Sequence, residues 1–101
     1  MRLIWSPKAL FRAAEIVDFI AAERPQAALE WIDGLQERVE SLAELPQQGR
    51  AVPEWYELSV RELIYSGHRI IYEVAAEYVR ILTIRHQRQR LGAPDFDEDS
   101  F

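Results

Sequence analysis

Leu10, Ala13, Ala14, Val17 and Ile20 recur three or four residues apart, which predicts a helix with one apolar face running to about Ala21. Ser6-Pro7 marks its start. The serine oxygen can cap open amides of the first turn, and proline suits the first helical position because its missing N–H has no partner there. Before it, the apolar run Arg2 to Trp5 suits a first strand. Pro25 restarts a helix in the same way. Ala28, Ile32, Leu35, Val39 and Leu42 then form one apolar stripe reaching almost to Pro46. The link between the two helices is short, so an antiparallel hairpin is predicted.

After Pro46 the pattern loses its helical period. Residues 46–57 are rich in Pro, Gln and Gly and read as a loop. Alternation follows: a strand over 58–65, a tight turn at Ser66-Gly67, a partner strand over 69–74, a turn at 75–77 and a last strand over 79–86. Strict alternation puts Arg80 and Arg85 on opposite faces of that strand, as it does Ile81 and Leu82. Both faces of the sheet are therefore partly apolar. The helices cover one, and the other needs a cover that a partner could supply. The fold expected is α+β, in the order β-α-α-β-β-β, with the helix hairpin on a small antiparallel sheet. One domain spans 1–91. Residues 92–101, acidic and without periodicity, are expected to form a loose tail.

Composition narrows the chemistry. The 101 residues suffice for one domain, and 49% are hydrophobic, enough for a core. There is no cysteine, which removes disulfides and thiolate catalysis and fits a reducing cytoplasm. No apolar run is long enough to span a bilayer and no signal-peptide pattern opens the chain, so a soluble, cytoplasmic protein is expected. The net charge is −5, but it is uneven. Residues 1–60 hold 6 basic and 10 acidic groups, residues 61–90 hold 6 arginines and 3 glutamates, and residues 91–101 hold 4 acidic groups and no basic ones. A partner feels the local patch more than the total, because screening acts over roughly 10 Å. The basic strands therefore suit an anionic partner or solvent alone.

Two histidines without H-x-x-x-H spacing give no metal site, and no cofactor motif is present. No serine sits in a nucleophile-elbow context. Trp5, Trp31 and Trp55 read as packing residues, and His68 as a turn residue. Arg61, Glu62, His68, Arg69, Arg85, His86, Arg88 and Arg90 are the groups able to act on RNA or to bind a charged partner. RNA cleavage needs a base, an acid and cations around the phosphorane. Glu62 or His86 could fill the first two roles and arginines the third.

The ordered set W-S-P-K-A at 5–9, F-I-A-A-E-R-P-Q-A-A at 19–28, L-P-Q-Q-G-R at 45–50, V-P-E at 52–54, R-E-L at 61–63, H-R-I-I-Y-E-V at 68–74 and I-L-T-I-R-H-Q-R at 81–88 resembles the ParE/RelE superfamily of type II toxin–antitoxin toxins. The resemblance covers Leu3 to about Leu91. It implies a toxin neutralised by a cognate antitoxin, typically an acidic segment that folds on binding. RelE-like members cleave mRNA on the ribosome; ParE-like members inhibit DNA gyrase. RelE carries lysines where this chain has Val60 and Glu62, and a late tyrosine where none follows Tyr78 here. R-E-L, a tight turn, R-I-I-Y and a strand ending in H-x-R look more like ParE.

The resemblance thus implies a gyrase-binding toxin without a cofactor, a membrane association or sequence-specific DNA binding of its own. Arg61, Arg69, Arg85, His86, Arg88 and Arg90 are the expected target- or antitoxin-binding residues. The alternative is a ribosome-dependent endoribonuclease using Glu62, Arg69 and His86. A net charge of −5 fits ribosome binding poorly, since phosphate attraction dominates there. The antitoxin is expected to clamp the open sheet face and the helix hairpin over roughly 1,500 Å² or more.

Overall fold

The computed structural model describes residues 1–55 and 59–88. The acidic tail expected over 92–101 lies outside them, as do Leu58 and Arg90. Strand β1 (Arg2–Trp5) leads into helix α1 (Pro7–Ala21) and helix α2 (Pro25–Glu40), and a 3-10 turn covers Ser41–Ala43. Strands β2 (Arg50–Ala51), β3 (Val60–Tyr65), β4 (His68–Val74) and β5 (Tyr78–His86) follow. They form one sheet in the order β1-β5-β4-β3-β2. β2 lies within the segment that reads as loop, so the sheet has five strands. All its pairings are antiparallel except β1 with β5. That parallel pairing is possible because the helix hairpin and later strands supply the long return between them.

Ser6 shows how the sequence fixes the first helix. Its Oγ accepts the Ala9 N–H at 3.1 Å and donates to the Leu82 carbonyl at 2.8 Å. One buried hydroxyl thus caps α1 and ties it to β5. This tie sets the rotation of α1. Ala9 and Ala13 are buried, with Ile16, Val17 and Ile20 packed beside them, whereas Leu10 from the predicted stripe is 54% exposed. In α2 the stripe is as predicted, with Ala28, Leu35 and Val39 buried, Ile32 half-buried, and Trp31 added to it. These side chains meet Leu63, Ile70, Tyr72, Val79, Ile81 and Ile84 from the inner face of the sheet. Each such aliphatic side chain contributes about 1.5–3 kcal/mol on full burial.

Ser66 and Gly67 join β3 to β4 with φ of +47° and +79°, the left-handed pair that a two-residue hairpin turn requires. The β4–β5 register passes from Ile71 opposite Thr83 to Tyr72 opposite Ile81, so Leu82 is an extra residue in β5. This bulge reverses the alternation. Arg80 stands opposite Glu73 and Arg85 opposite Arg69, both on the face away from the helices. The expectation that they lie on opposite faces is therefore corrected, while Ile81 and Leu82 do point to different clusters.

The outer face is not left open where it is apolar. Val52 and Trp55, from the segment after β2, close over Val60, Ile71 and Leu82. Ile71 is 0% exposed and Leu82 1%. The chain itself supplies cover that sequence reasoning assigned to a partner. Among the described residues, the large apolar side chains that remain exposed are instead Leu10, Phe11, Phe19 and Leu29 on the helix hairpin, with Met1 and Leu45 elsewhere.

Candidate functional site

On the outer face the arginines and glutamates of four sequence motifs meet. Arg69 lies at the start of β4 and is 5% exposed; Glu62 in β3 is 1% exposed. The Arg69 Nε donates to Glu62 Oε1 at 2.7 Å. Its two terminal nitrogens donate to both oxygens of Glu54 at 2.8 Å each, a two-pronged carboxylate pair. Glu62 turns its second oxygen to the Nε of Arg50 at 2.6 Å. Adjacent strands place these groups, since Glu62 sits opposite both Ile71 of β4 and Arg50 of β2. The hydrogen bonds to Glu54, with Glu62 adding to them, hold the Arg69 guanidinium in its charged form more firmly than usual and outweigh the effect of burial.

A second network ties down the loop ahead of β2. The Tyr72 hydroxyl donates to the Pro46 carbonyl at 2.8 Å and accepts the Gly49 N–H at 2.9 Å. Burial raises the Tyr72 pKa, opposed by the Gly49 hydrogen bond and by Arg61. Arg61 donates to the Gly49 carbonyl at 2.8 Å. A Cβ on Gly49 would lie 2.5 Å from the Tyr72 hydroxyl and 2.6 Å from the Glu62 carbonyl, which explains the glycine. Q-G-R, V-P-E, R-E-L and H-R-I-I-Y thus converge on one internal scaffold.

The histidines form a separate group, next to Arg69 along the β4–β5 ladder but on the inner-face side of the sheet. His68 and His86 face each other in register, with ring centroids 5.7 Å apart and nearly perpendicular planes. Trp31 of α2 packs edge-on against His68 at 5.8 Å. The His68 Nδ1 donates to the Ser66 carbonyl at 3.0 Å. His86 Nδ1 accepts the Arg88 N–H at 3.1 Å. Burial lowers the His68 pKa below the ordinary value of 6.5; His86 adds to this, and the Ser66 hydrogen bond opposes it.

Well above pH 6.5 His68 is neutral in both the folded and unfolded chains and its contribution to stability is constant. Below it the unfolded chain takes up the proton more readily, so stability is lost as pH falls through the folded-state value. His68→Gln is expected to flatten this part of the acid side of the stability curve. Urea midpoints of both proteins at pH 7.5 and 5.5 check it. An equal drop in the two would show that His68 is not responsible.

The expected site residues are therefore dispersed. Glu62 and Arg69 are together, buried and mutually neutralised on the outer face. His86 stands on the inner-face side, opposite His68. Arg61 is engaged with the loop ahead of β2, Arg85 is half-buried, and His86 and Arg88 are exposed. Sequence reasoning missed Arg50, Glu54 and Tyr72 as partners. A usable signal was present: V-x-E-x-I over 60–64 and R-x-I over 69–71 put one charge of each sign on apolar strand faces that pair. Among the described residues no group of three His, Asp or Glu is placed to hold a metal ion, and no helix is long and apolar enough to cross a membrane.

Residues 3–91 match the family model described as ParE toxin of type II toxin-antitoxin system, parDE. A chain of the solved chromosomal ParDE TA system from P. aeruginosa superposes with a TM-score of 0.71 at 26% sequence identity, covering 85% of this chain and 95% of that one. No curated protein sequence matches the chain.

Proposed function

Because the chain belongs to the ParE toxins of type II toxin–antitoxin systems, we propose that it acts by binding DNA gyrase and that a cognate antitoxin neutralises it. The observation that carries this reading is the internal use of Arg69 and Glu62. A guanidinium already gripped by two carboxylates has little capacity left for a phosphorane. A carboxylate 1% exposed between two arginines is poorly placed to take a proton from a 2′-hydroxyl. His86, the remaining member of the nuclease set, belongs to another face. The three do not share a site at which a reacting atom could sit.

Binding then falls to the surface. Arg85, His86 and Arg88 at the end of β5 supply polar contacts. Leu10, Phe11, Phe19 and Leu29 on the helix hairpin supply the apolar area that an antitoxin would bury. Substitutions at Arg85, His86 and Arg88 should produce graded losses of roughly 1–3 kcal/mol each in binding, with no single position decisive. Expression in bacteria tests the reading. DNA breaks and SOS induction with translation intact support it; immediate mRNA cleavage at ribosomal codons supports the nuclease alternative; a folded, soluble chain without any growth defect contradicts both.

A further inference from the structure

We infer that the helix hairpin is a docking surface for a cationic amphipathic segment of the antitoxin, one that carries lysine or arginine beside its apolar side chains. This rests on the reading above that an antitoxin covers the hairpin, and it adds the chemistry of the part that does so. Four of the six large apolar side chains exposed among the described residues lie on these two helices: Leu10, Phe11, Phe19 and Leu29. Phe19 is 83% exposed. A hollow of about 260 Å³ adjoins it, bordered also by Ile20, Ala22, Glu23 and Arg24, with room for an apolar side chain from outside.

The sign of the partner follows from the charges around these side chains. Residues 7–40 carry 7 carboxylates and 4 cations, a balance of −3. All seven carboxylates are exposed. Arg12 and Glu15 neutralise each other at 3.0 Å, which leaves the balance unchanged. Among the described residues, Asp18, Glu23, Glu30, Asp33, Glu37 and Glu40 are in no ion pair. Several of them stand beside the exposed apolar groups. Asp18 lies two turns from Phe11 on the same face of α1, Asp33 lies one turn from Leu29 on α2, and Glu23 borders the same hollow as Phe19. Two nearer occupants meet like charge. A second copy would bring an identical acidic hairpin, and the chain's own residues 91–101 hold 4 acidic groups and no basic ones. A segment with lysine or arginine flanking its apolar residues gains on both counts. It buries Phe19 and Leu29 and brings its cations to Asp18, Glu23 and Asp33. The segment seated here is thus opposite in sign to the acidic one that the resemblance implies.

The test is a titration of the full-length, isotope-labelled protein with three designed helical peptides, followed by NMR of the amide signals at constant ionic strength. The peptides share one face of leucines and carry lysine, glutamine or glutamate on the other. Saturable shifts along α1 and α2 are expected with the lysine peptide, about tenfold tighter than with the glutamine peptide, and no saturation with the glutamate peptide. Phe19→Ser, at an exposed position, should weaken the lysine peptide about fivefold or more through lost apolar contact. Asp18→Lys with Asp33→Lys should weaken it about tenfold and let the glutamate peptide bind. Glu44→Lys with Glu77→Lys makes the same change in net charge at exposed positions outside the hairpin and should change little. Neither gyrase nor antitoxin takes part, so a failure of the gyrase reading and a failure here are told apart. The inference is overturned if the glutamate peptide binds as tightly as the lysine peptide, if both pairs of reversals weaken the lysine peptide equally, or if the free chain dimerises through the hairpin and Phe19→Ser disperses it.

Discussion

Arg69→Ala is expected to destabilise the fold by about 3–5 kcal/mol, because it leaves the Glu62 carboxylate buried with its main counter-charge gone. Glu62 is 1% exposed, and its remaining partner, Arg50, reaches it from the solvent edge with a side chain 65% exposed. Glu54 is nearer the surface and can rehydrate. A loss of this size is a large part of the roughly 5–15 kcal/mol that holds a typical domain together. Urea unfolding measures it. The double variant Glu62→Leu/Arg69→Met removes both buried charges and should recover most of the loss, since apolar replacements of a buried pair are often neutral or better. Toxicity should track stability through this series. If Arg69→Ala instead keeps its unfolding midpoint and loses toxicity, Arg69 acts on the target rather than on the fold.

Gly49→Ala should have the next largest effect, about 2–4 kcal/mol, combining overpacking with disturbed hydrogen bonds. The added methyl would meet the Tyr72 hydroxyl at 2.5 Å and the Glu62 carbonyl at 2.6 Å. The second contact is backbone and cannot turn aside. Relief requires the loop to lift, which breaks the Gly49–Tyr72 hydrogen bond and loosens the Arg61 contact beside it. Tyr72→Phe removes the same hydrogen bond by another route and should cost about 1–3 kcal/mol. In the double variant the costs should fall short of additivity, because phenylalanine leaves room where the tyrosine oxygen stood. Full additivity of the unfolding free energies would show that the clash at Tyr72 is not the cause.

The two networks explain what could and could not be read from the chain. Local signals were legible. Ser6-Pro7 marks a helix start because capping involves groups only three residues apart. Ser66-Gly67 marks a hairpin because the turn needs left-handed backbone at adjacent positions. The bulge at Leu82 leaves no such trace, since R-I-L-T-I-R reads as continuous strand with or without an extra residue. Two-residue β2 is too short for any period to show. Residue types in the charged network were visible, but their burial was not. Arg69 reaches Glu54 across 15 positions and Arg50 reaches Glu62 across 12. A strand arginine that binds a target and one that braces two loops have the same local sequence. Only the register and the cover from Val52 and Trp55 separate them.

Purified protein assayed in parallel against purified gyrase and against a reconstituted translation system decides between gyrase binding and mRNA cleavage. Loss of gyrase supercoiling at near-stoichiometric toxin, with mRNA left intact on translating ribosomes, is the predicted result. Ribosome-dependent mRNA cleavage, with gyrase supercoiling unaffected at the same toxin concentration, would contradict it.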